Sequence, residues 1–303
     1  MKVVLTNLSD YRFREARTRL NNSARQLGIA HINSYDFEDI KQTPFYEENR
    51  EILDIPTGSG CWLWKPYIIL ETMRQVEEGD IVVYSDAGIE LIDSIEPLVR
   101  ICKKEQPVLL FANGNLPNSM WTKRDCFILM GCDHKKYWRG TQCDGAFALF
   151  RKCAQSIAFL QEWLEYGKDK RIITDIPNTL GKKNLPDFIA HRRDQSILSL
   201  LAARHHIPMY RMPTQYGNHY KLPAYRIQGE FNCADQYYQK QVSYYSGKPM
   251  ANSPYGQLLD HHRAGKRQDG EAVRTGRFEN LGARIRRKLY LLWVRLDERI
   301  LNG

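Results

Sequence analysis

The sequence predicts an α/β fold: a mixed, mostly parallel sheet flanked by helices, with an amphipathic helical tail at the C-terminus. Three observations predict it. Short apolar runs alternate with segments of helical period through the first third of the chain. The run Ile81-Val82-Val83-Tyr84 ends in Ser85-Asp86-Ala87-Gly88, an acid just past a buried strand, where open α/β sheets place their ligand chemistry. Beyond residue 270, Phe278, Leu281, Ile285, Leu289, Leu292, Leu296 and Ile300 recur three and four apart, one stripe of a helix.

Taken in order, residues 2–7 read as a first buried strand. They lack the longer apolar region and small-residue cleavage site of a signal peptide. Residues 12–27 carry Phe13, Ala16, Leu20, Ala24 and Leu27 at helical spacing, with Gly28 as the stop. Residues 29–34 form a second strand, and 35–57 show no period. An aromatic turn follows, Cys61-Trp62-Leu63-Trp64-Lys65-Pro66. Then comes an amphipathic helix with Ile68, Ile69, Thr72, Met73 and Val76 on one side. After the strand ending at Tyr84, residues 89–104 read as a helix and 107–111 as a strand. A further strand is entered through the Asp144-Gly145 turn, and a helix spans 153–166. His191-Arg192-Arg193-Asp194-Gln195 opens another helix, with Asp194 as its N-cap. Residues 207–212 are a late strand. The organisation expected is a catalytic domain over 1–270 and a basic helix over 271–303.

Composition narrows the class. The 303 residues are 43% hydrophobic and 26% charged, as in soluble globular proteins, and no apolar run reaches the ~18 residues of a membrane span. Seven cysteines without a CxxC pair argue against a zinc site or a disulfide framework and for reduced, cytosolic thiols. The net charge is +9, and more than half of it lies in the tail, where 274–299 hold eight basic and three acidic residues. A nucleic-acid-binding protein would interleave basic and aromatic residues along one face instead.

Several residues carry chemistry. Asp86 offers a carboxylate to a hard divalent cation bridging phosphates, although such an acid can also simply form a turn. Lys65, between aromatics and a proline, suits a phosphate as a point charge. Trp62, Trp64 and Tyr67 are either core or a platform for a ring. Asp144 would share the Asp86 cleft if its strand is central. Asp194 is either a helix cap or a carboxylate tuned by the cations before it. His261-His262-Arg263, with His219 as a rival, points to phosphate or metal.

These segments together resemble a group of bacterial glycosyltransferases of the GT-A type. The matching pieces are Trp62-x-Trp64-Lys65-Pro66-Tyr67, Gly79-Asp80 through Gly88, Trp121-Thr122-Lys123-Arg124-Asp125, His191 through Leu198, and His261-His262-Arg263. Many members lie in gene clusters for capsule, lipopolysaccharide O-antigen or exopolysaccharide. The resemblance covers roughly 1–265. It implies a GT-A fold, a nucleotide-sugar donor, a glycan or lipid-linked glycan acceptor, and a divalent metal, Mn²⁺ or Mg²⁺. It places Tyr84-Ser85-Asp86 where such enzymes carry Asp-x-Asp, so Asp86 is the ligand and Tyr84 stands for the first Asp. His261 or His262 would complete the metal–diphosphate site. Asp194-Gln195 matches the late acidic position that is the base in inverting members or touches the sugar in retaining ones.

The resulting expectation is metal-assisted transfer of a sugar onto a hydroxyl. Asp194 and Asp144 are the catalytic residues. Trp62, Trp64, Lys65, Tyr84, Asp86, Gly88, Gln195 and Arg263 hold the donor, and Asp86, His261 and His262 hold the metal. The tail stripe packs on the protein itself or lies in a membrane interface. A lipid-linked acceptor favours the second, a peripheral location on the inner face of the cytoplasmic membrane. Three rivals stand beside this reading. A sugar nucleotidyltransferase wants a glycine-rich loop after strand one, which Thr6-Asn7-Leu8-Ser9-Asp10 does not supply. A nucleic-acid-binding protein would not concentrate its charge in the tail and set acids at strand ends, and a membrane scaffold does not require Lys65, Asp86 and Asp194 to converge.

Overall fold

A computed structural model describes residues 1–218 and 250–262. The expected tail helix, the boundary at residue 270, His219 and Arg263 lie outside the described residues.

The chain begins with β1 (Val3–Ser9) and α1 (Arg14–Gln26), then β2 (His31–Asp36). Three short helical turns follow, Phe37–Ile40, Pro44–Glu48 and Arg50–Leu53, where the sequence shows no period. Thr43 caps the middle one, its hydroxyl accepting from the Tyr46 N–H, with Pro44 at the first helical position. Helix α2 (Trp64–Arg74) leads into β3 (Ile81–Ser85). Next come β4 (Ile89–Leu91), α3 (Glu96–Lys104), β5 (Val108–Pro117), β6 (Thr141–Cys143), β7 (Phe147–Arg151) and α4 (Ala154–Gly167). Helix α5 (Asp194–Arg204), β8 (Met209–Arg211) and β9 (Leu259–His261) follow, and the remaining helical pieces are of six residues or fewer.

Seven strands form one sheet in the order β2-β1-β3-β7-β5-β6, with β8 also on β5. Strands β1, β2 and β3 are parallel, and β8 is parallel to β5. Strand β7 is antiparallel to both β3 and β5, so five of the seven strands run the same way. The fold is therefore mixed α/β with a mostly parallel, helix-flanked sheet.

Period-two alternation sorts the strand residues onto two faces. Val4, Leu8, Val82, Tyr84, Val108, Leu110, Ala148 and Phe150 join a core with α2, α4 and α5. Leu5, Ile81, Val83, Leu109, Phe111, Phe147 and Leu149 join the opposite core with α1 and α3. Burial on both faces explains the unbroken apolar run of β3, whose five residues are all buried.

Two expectations are corrected. The helix expected over 89–104 is a strand, β4, followed by a helix that starts only at Glu96. Ile89, Glu90 and Leu91 pair with His261, Asp260 and Leu259, some 170 residues away. Asp194 is not an N-cap: Arg193 holds that place, and Asp194 is the first helical residue, with its side chain turned to Lys65. Among the described residues no helix is long and apolar enough to cross a membrane.

Candidate active site

The aromatic turn before α2 is made by backbone in left-handed conformations. Ser59, Gly60, Cys61 and Trp62 have φ of 48°, 91°, 54° and 61°. At Gly60 a Cβ would stand 2.7 Å from Leu53 Cα, so the turn closes against the preceding helical turn. Helix α2 then starts at Trp64, and Pro66 falls in its first turn, where the missing N–H has no intrahelical partner to lose. Trp64 is core, its Nε1 donating to Gly58 O at 3.0 Å, and Tyr67 stacks on Phe45 with centroids 4.0 Å apart. Trp62 is partly buried, as Tyr67 is, and lies under two cations, Lys65 at 5.8 Å and Arg193 at 5.5 Å.

The turn delivers Lys65 inward, and the ammonium becomes the centre of the site. Its Nζ lies 2.8 Å from Gly145 O, 3.0 Å from Asp194 Oδ2 and 3.3 Å from Asp86 Oδ1. An ammonium has three donors, and these contacts use all of them. Lys65 is only 3% exposed. The sequence suggests a phosphate contact for Lys65; the structure instead spends its charge on holding two carboxylates and a turn. Burial pulls its pKa down, but Asp194 and Asp86 outweigh burial and hold it above the usual value.

Asp86 follows the C-terminal end of β3, anchored by its N–H to Ala146 O at 2.8 Å. Its side chain keeps 31% exposure, so it faces both Lys65 and solvent. Tyr84 does not stand in for a ligand. It is 1% exposed, its phenol donates to Asp86 Oδ1, and burial followed by the Asp86 charge pushes its pKa well up. Gly88 is explained by backbone approach, since a Cβ there would lie 3.0 Å from His262 O.

Asp194 is almost fully buried, and burial pushes its carboxyl up to about 6 against the pull of Lys65. Two features fix it. The Trp163 indole donates to Asp194 O at 3.2 Å. Arg193 before it sits at φ 54° and ψ −118°, outside the ordinary regions, a conformation costing about 1–3 kcal/mol. The cost is met by an ion pair from Arg193 to Asp175 and by its packing on Trp62. Asp144 is buried at the end of β6, its N–H on Phe111 O at 2.7 Å, and its charge acts on Tyr84. Strand β7 lies between β3 and β5, and the 144–146 turn that enters it runs beside Asp86, whose N–H meets Ala146 O. Gln195 lies against Gly145: a Cβ on that glycine would be 3.4 Å from Gln195 Cβ and 3.5 Å from Asp194 Oδ2.

The two histidines separate. His261, at the end of β9, is set edge-on to Tyr216 with centroids 5.9 Å apart, and Asp86 acts on it electrostatically. Burial lowers its pKa, so the ring is neutral with a lone pair available. His262 instead sends Nε2 to Glu90 Oε2 at 2.6 Å.

Asp86 and His261 are the residues that could hold the divalent metal implied by the sequence resemblance. Tyr84 and Lys65 both address Oδ1 of Asp86, and His261 is a neutral imidazole beside it. Among the described residues no three His, Cys, Asp or Glu groups form a ready cluster. Asp86 and His261 would thus supply part of the shell and leave the rest to ligand oxygens and water.

No protein-family model and no curated protein matches the sequence. Solved structures are similar at low identity. Mouse xyloside xylosyltransferase 1, apo form, has a TM-score of 0.46 and 8% identity over 86% of this chain and 97% of that one. The bifunctional glycosyltransferase WbbM has 0.45 and 12% over 88% and 46%. The galactosyltransferase LgtC, in complex with donor and acceptor sugar analogues, has 0.43 and 11% over 86% and 87%.

Of the residues expected at the site, Trp62, Lys65, Tyr84, Asp86, Asp144, Asp194, Gln195 and His261 are brought together. Trp64 goes to the core and His262 to Glu90. Sequence reasoning missed Gln142, which meets Gln195 at 3.2 Å, and the carbonyl of Gly145. Gln142 sits two residues before Asp144 within a strand pattern, and a fully buried amide leaves no local mark. The Asp-Gly pair did signal the turn, but not which backbone oxygen it would expose.

Proposed function

We propose that the protein is a GT-A-type glycosyltransferase that moves a sugar from a nucleotide-diphosphate sugar to a hydroxyl of a glycan or lipid-linked glycan. The observation that carries the reading is the buried ammonium of Lys65 joining Asp86 and Asp194 at the C-terminal edge of β3. Two carboxylates are held there at different exposures, Asp86 partly open and Asp194 buried, which separates their roles.

Asp86, the more open one, faces the donor diphosphate. A divalent metal held there by Asp86 and His261 would supply positive charge to the departing nucleoside diphosphate. Asp194, with its carboxyl at about 6, is ionised at neutral pH yet basic enough to take the acceptor hydroxyl proton. Lys65 reaches no ligand itself; it fixes the spacing of the two acids. Gly145 leaves open the approach to Asp194 Oδ2, and Asp144 accepts from a sugar hydroxyl. Trp62 supplies a ring face beside the sugar.

The order of the motifs along the sequence supports a role in bacterial surface-polysaccharide synthesis. The basic, striped tail supports attachment to the inner face of the cytoplasmic membrane. Incubating the full chain with a panel of nucleotide sugars and Mn²⁺, and following nucleoside diphosphate release, tests the reaction. At least one donor should be consumed, and faster with an acceptor glycan present. A chain that consumes none of them would overturn the assignment.

A further inference from the structure

One wall of the cleft is a row of buried amides with a single allowed polarity. Tyr137 O is a backbone carbonyl and only accepts, so the Asn118 group 3.0 Å from it is Nδ2. Asn118 therefore turns Oδ1 to Gln142, whose Nε2 donates across 2.8 Å and also reaches Thr122 Oγ1 at 3.2 Å. Gln142 is left presenting Oε1 to Gln195, whose Nε2 donates across 3.2 Å. Asn118, Thr122 and Gln142 are fully buried. Reversing any one amide would set like groups against each other and leave a buried polar atom unsatisfied. The orientation of Gln195 is thus decided by a backbone carbonyl three residues back along the row, not by solvent.

We infer that Gln142 is a positioning residue: it commits an N–H of the Gln195 carboxamide to the wall and leaves the carbonyl oxygen as the group Gln195 offers the cleft. The stem of Gln195 lies over Gly145, beside the pair formed by Lys65 and Asp194. That oxygen is an acceptor, suited to a ligand group that brings a donor. On the glycosyltransferase reading, on which this step rests, that donor is a hydroxyl of the transferred sugar rather than the diphosphate, whose ionised oxygens bring none.

The test has two arms on the full chain. In the first, side-chain amide signals of ¹⁵N-glutamine-labelled protein are compared between the native chain, Gln142→Leu and Gln142→Glu. The native Gln195 pair should be protected and shifted, and Gln142→Leu should remove both features. A glutamic acid keeps, at every pH, a carboxyl oxygen that can accept from Gln195. Gln142→Glu should therefore retain a protected Gln195 pair where Gln142→Leu loses it, which keeps the arm decisive if Gln142→Leu fails to fold. Gln195 signals unchanged in Gln142→Leu, or lost in Gln142→Glu, would overturn the polarity. In the second arm, uridine and guanosine diphosphates and their glucose and mannose conjugates are titrated calorimetrically. Gln142→Leu should bind the bare diphosphates as the native chain does, and lose about tenfold of the affinity added by the sugar, the scale of one hydrogen bond. An unchanged sugar contribution would overturn the positioning role. If the native chain binds no conjugate, the glycosyltransferase reading fails, and the amide signals still decide the polarity.

Discussion

Lys65 is where the chemistry of the chain is concentrated. Buried cations are tolerated when they are paired, and Lys65 has two acids and a carbonyl around it. Removing one member of such a set strands the others. Lys65→Met should therefore destabilise the protein by about 3–5 kcal/mol, read by urea unfolding, far more than loss of an exposed ligand contact would. A stability within about 1 kcal/mol of the native chain would mean that the ammonium is not what holds Asp194. Asp194 itself binds a proton more tightly folded than unfolded, its carboxyl lying at about 6. Its contribution to stability is full below the free-carboxyl value of ~3.9 and is lost as pH rises through its folded value. The ionised, basic form is gained over the same window. The rate of donor turnover should rise with pH on a limb centred at about 6. Asp194→Asn should abolish turnover and leave binding of the nucleoside diphosphate intact. A rate that is flat across that window would remove Asp194 as the base.

The elements around Lys65 were legible to different degrees, for physical reasons. The apolar run of β3 and its terminal Asp86 are local signals, and both hold. The helical period of α1, α2 and α4 also holds to within a few residues. Strand β4 was not legible, because Ile89-Glu90-Leu91 acquires its pairing only from Leu259–His261. Nor was the start of α5: a serviceable capping residue, Asp194, was displaced from that role by the strained turn at Arg193. Residue type marked Lys65 as unusual, but its partners come from three distant segments that no spacing rule connects. The turn before α2 makes its own prediction. Gly60 combines φ of 91° with a Cβ position 2.7 Å from Leu53 Cα. Gly60→Ala should cost more than about 1 kcal/mol and lower the melting temperature. A variant that melts like the native chain would show that this turn does not set the placement of Lys65.

At the scale of the whole molecule, the sheet gathers five segments at one edge. The C-terminal end of β3 brings Asp86, the 144–146 turn brings Gly145, and α2 and α5 bring Lys65 and Asp194. The pairing of β9 with β4 brings His261. Asp86 and Asp194 thus meet around one buried ammonium in a chain whose net charge is +9. On the glycosyltransferase reading, binding of an anionic donor should depend on Asp86 and on a divalent metal. The most direct measurement is calorimetric titration of the full chain and of Asp86→Ala with a panel of nucleoside diphosphates and nucleotide sugars, with and without Mn²⁺. The native chain should bind at least one nucleotide sugar, more tightly with Mn²⁺, and Asp86→Ala should lose that metal-dependent binding while remaining folded. A native chain that binds none of the panel, or an Asp86→Ala variant that binds as the native chain does, would contradict a donor site at the end of β3.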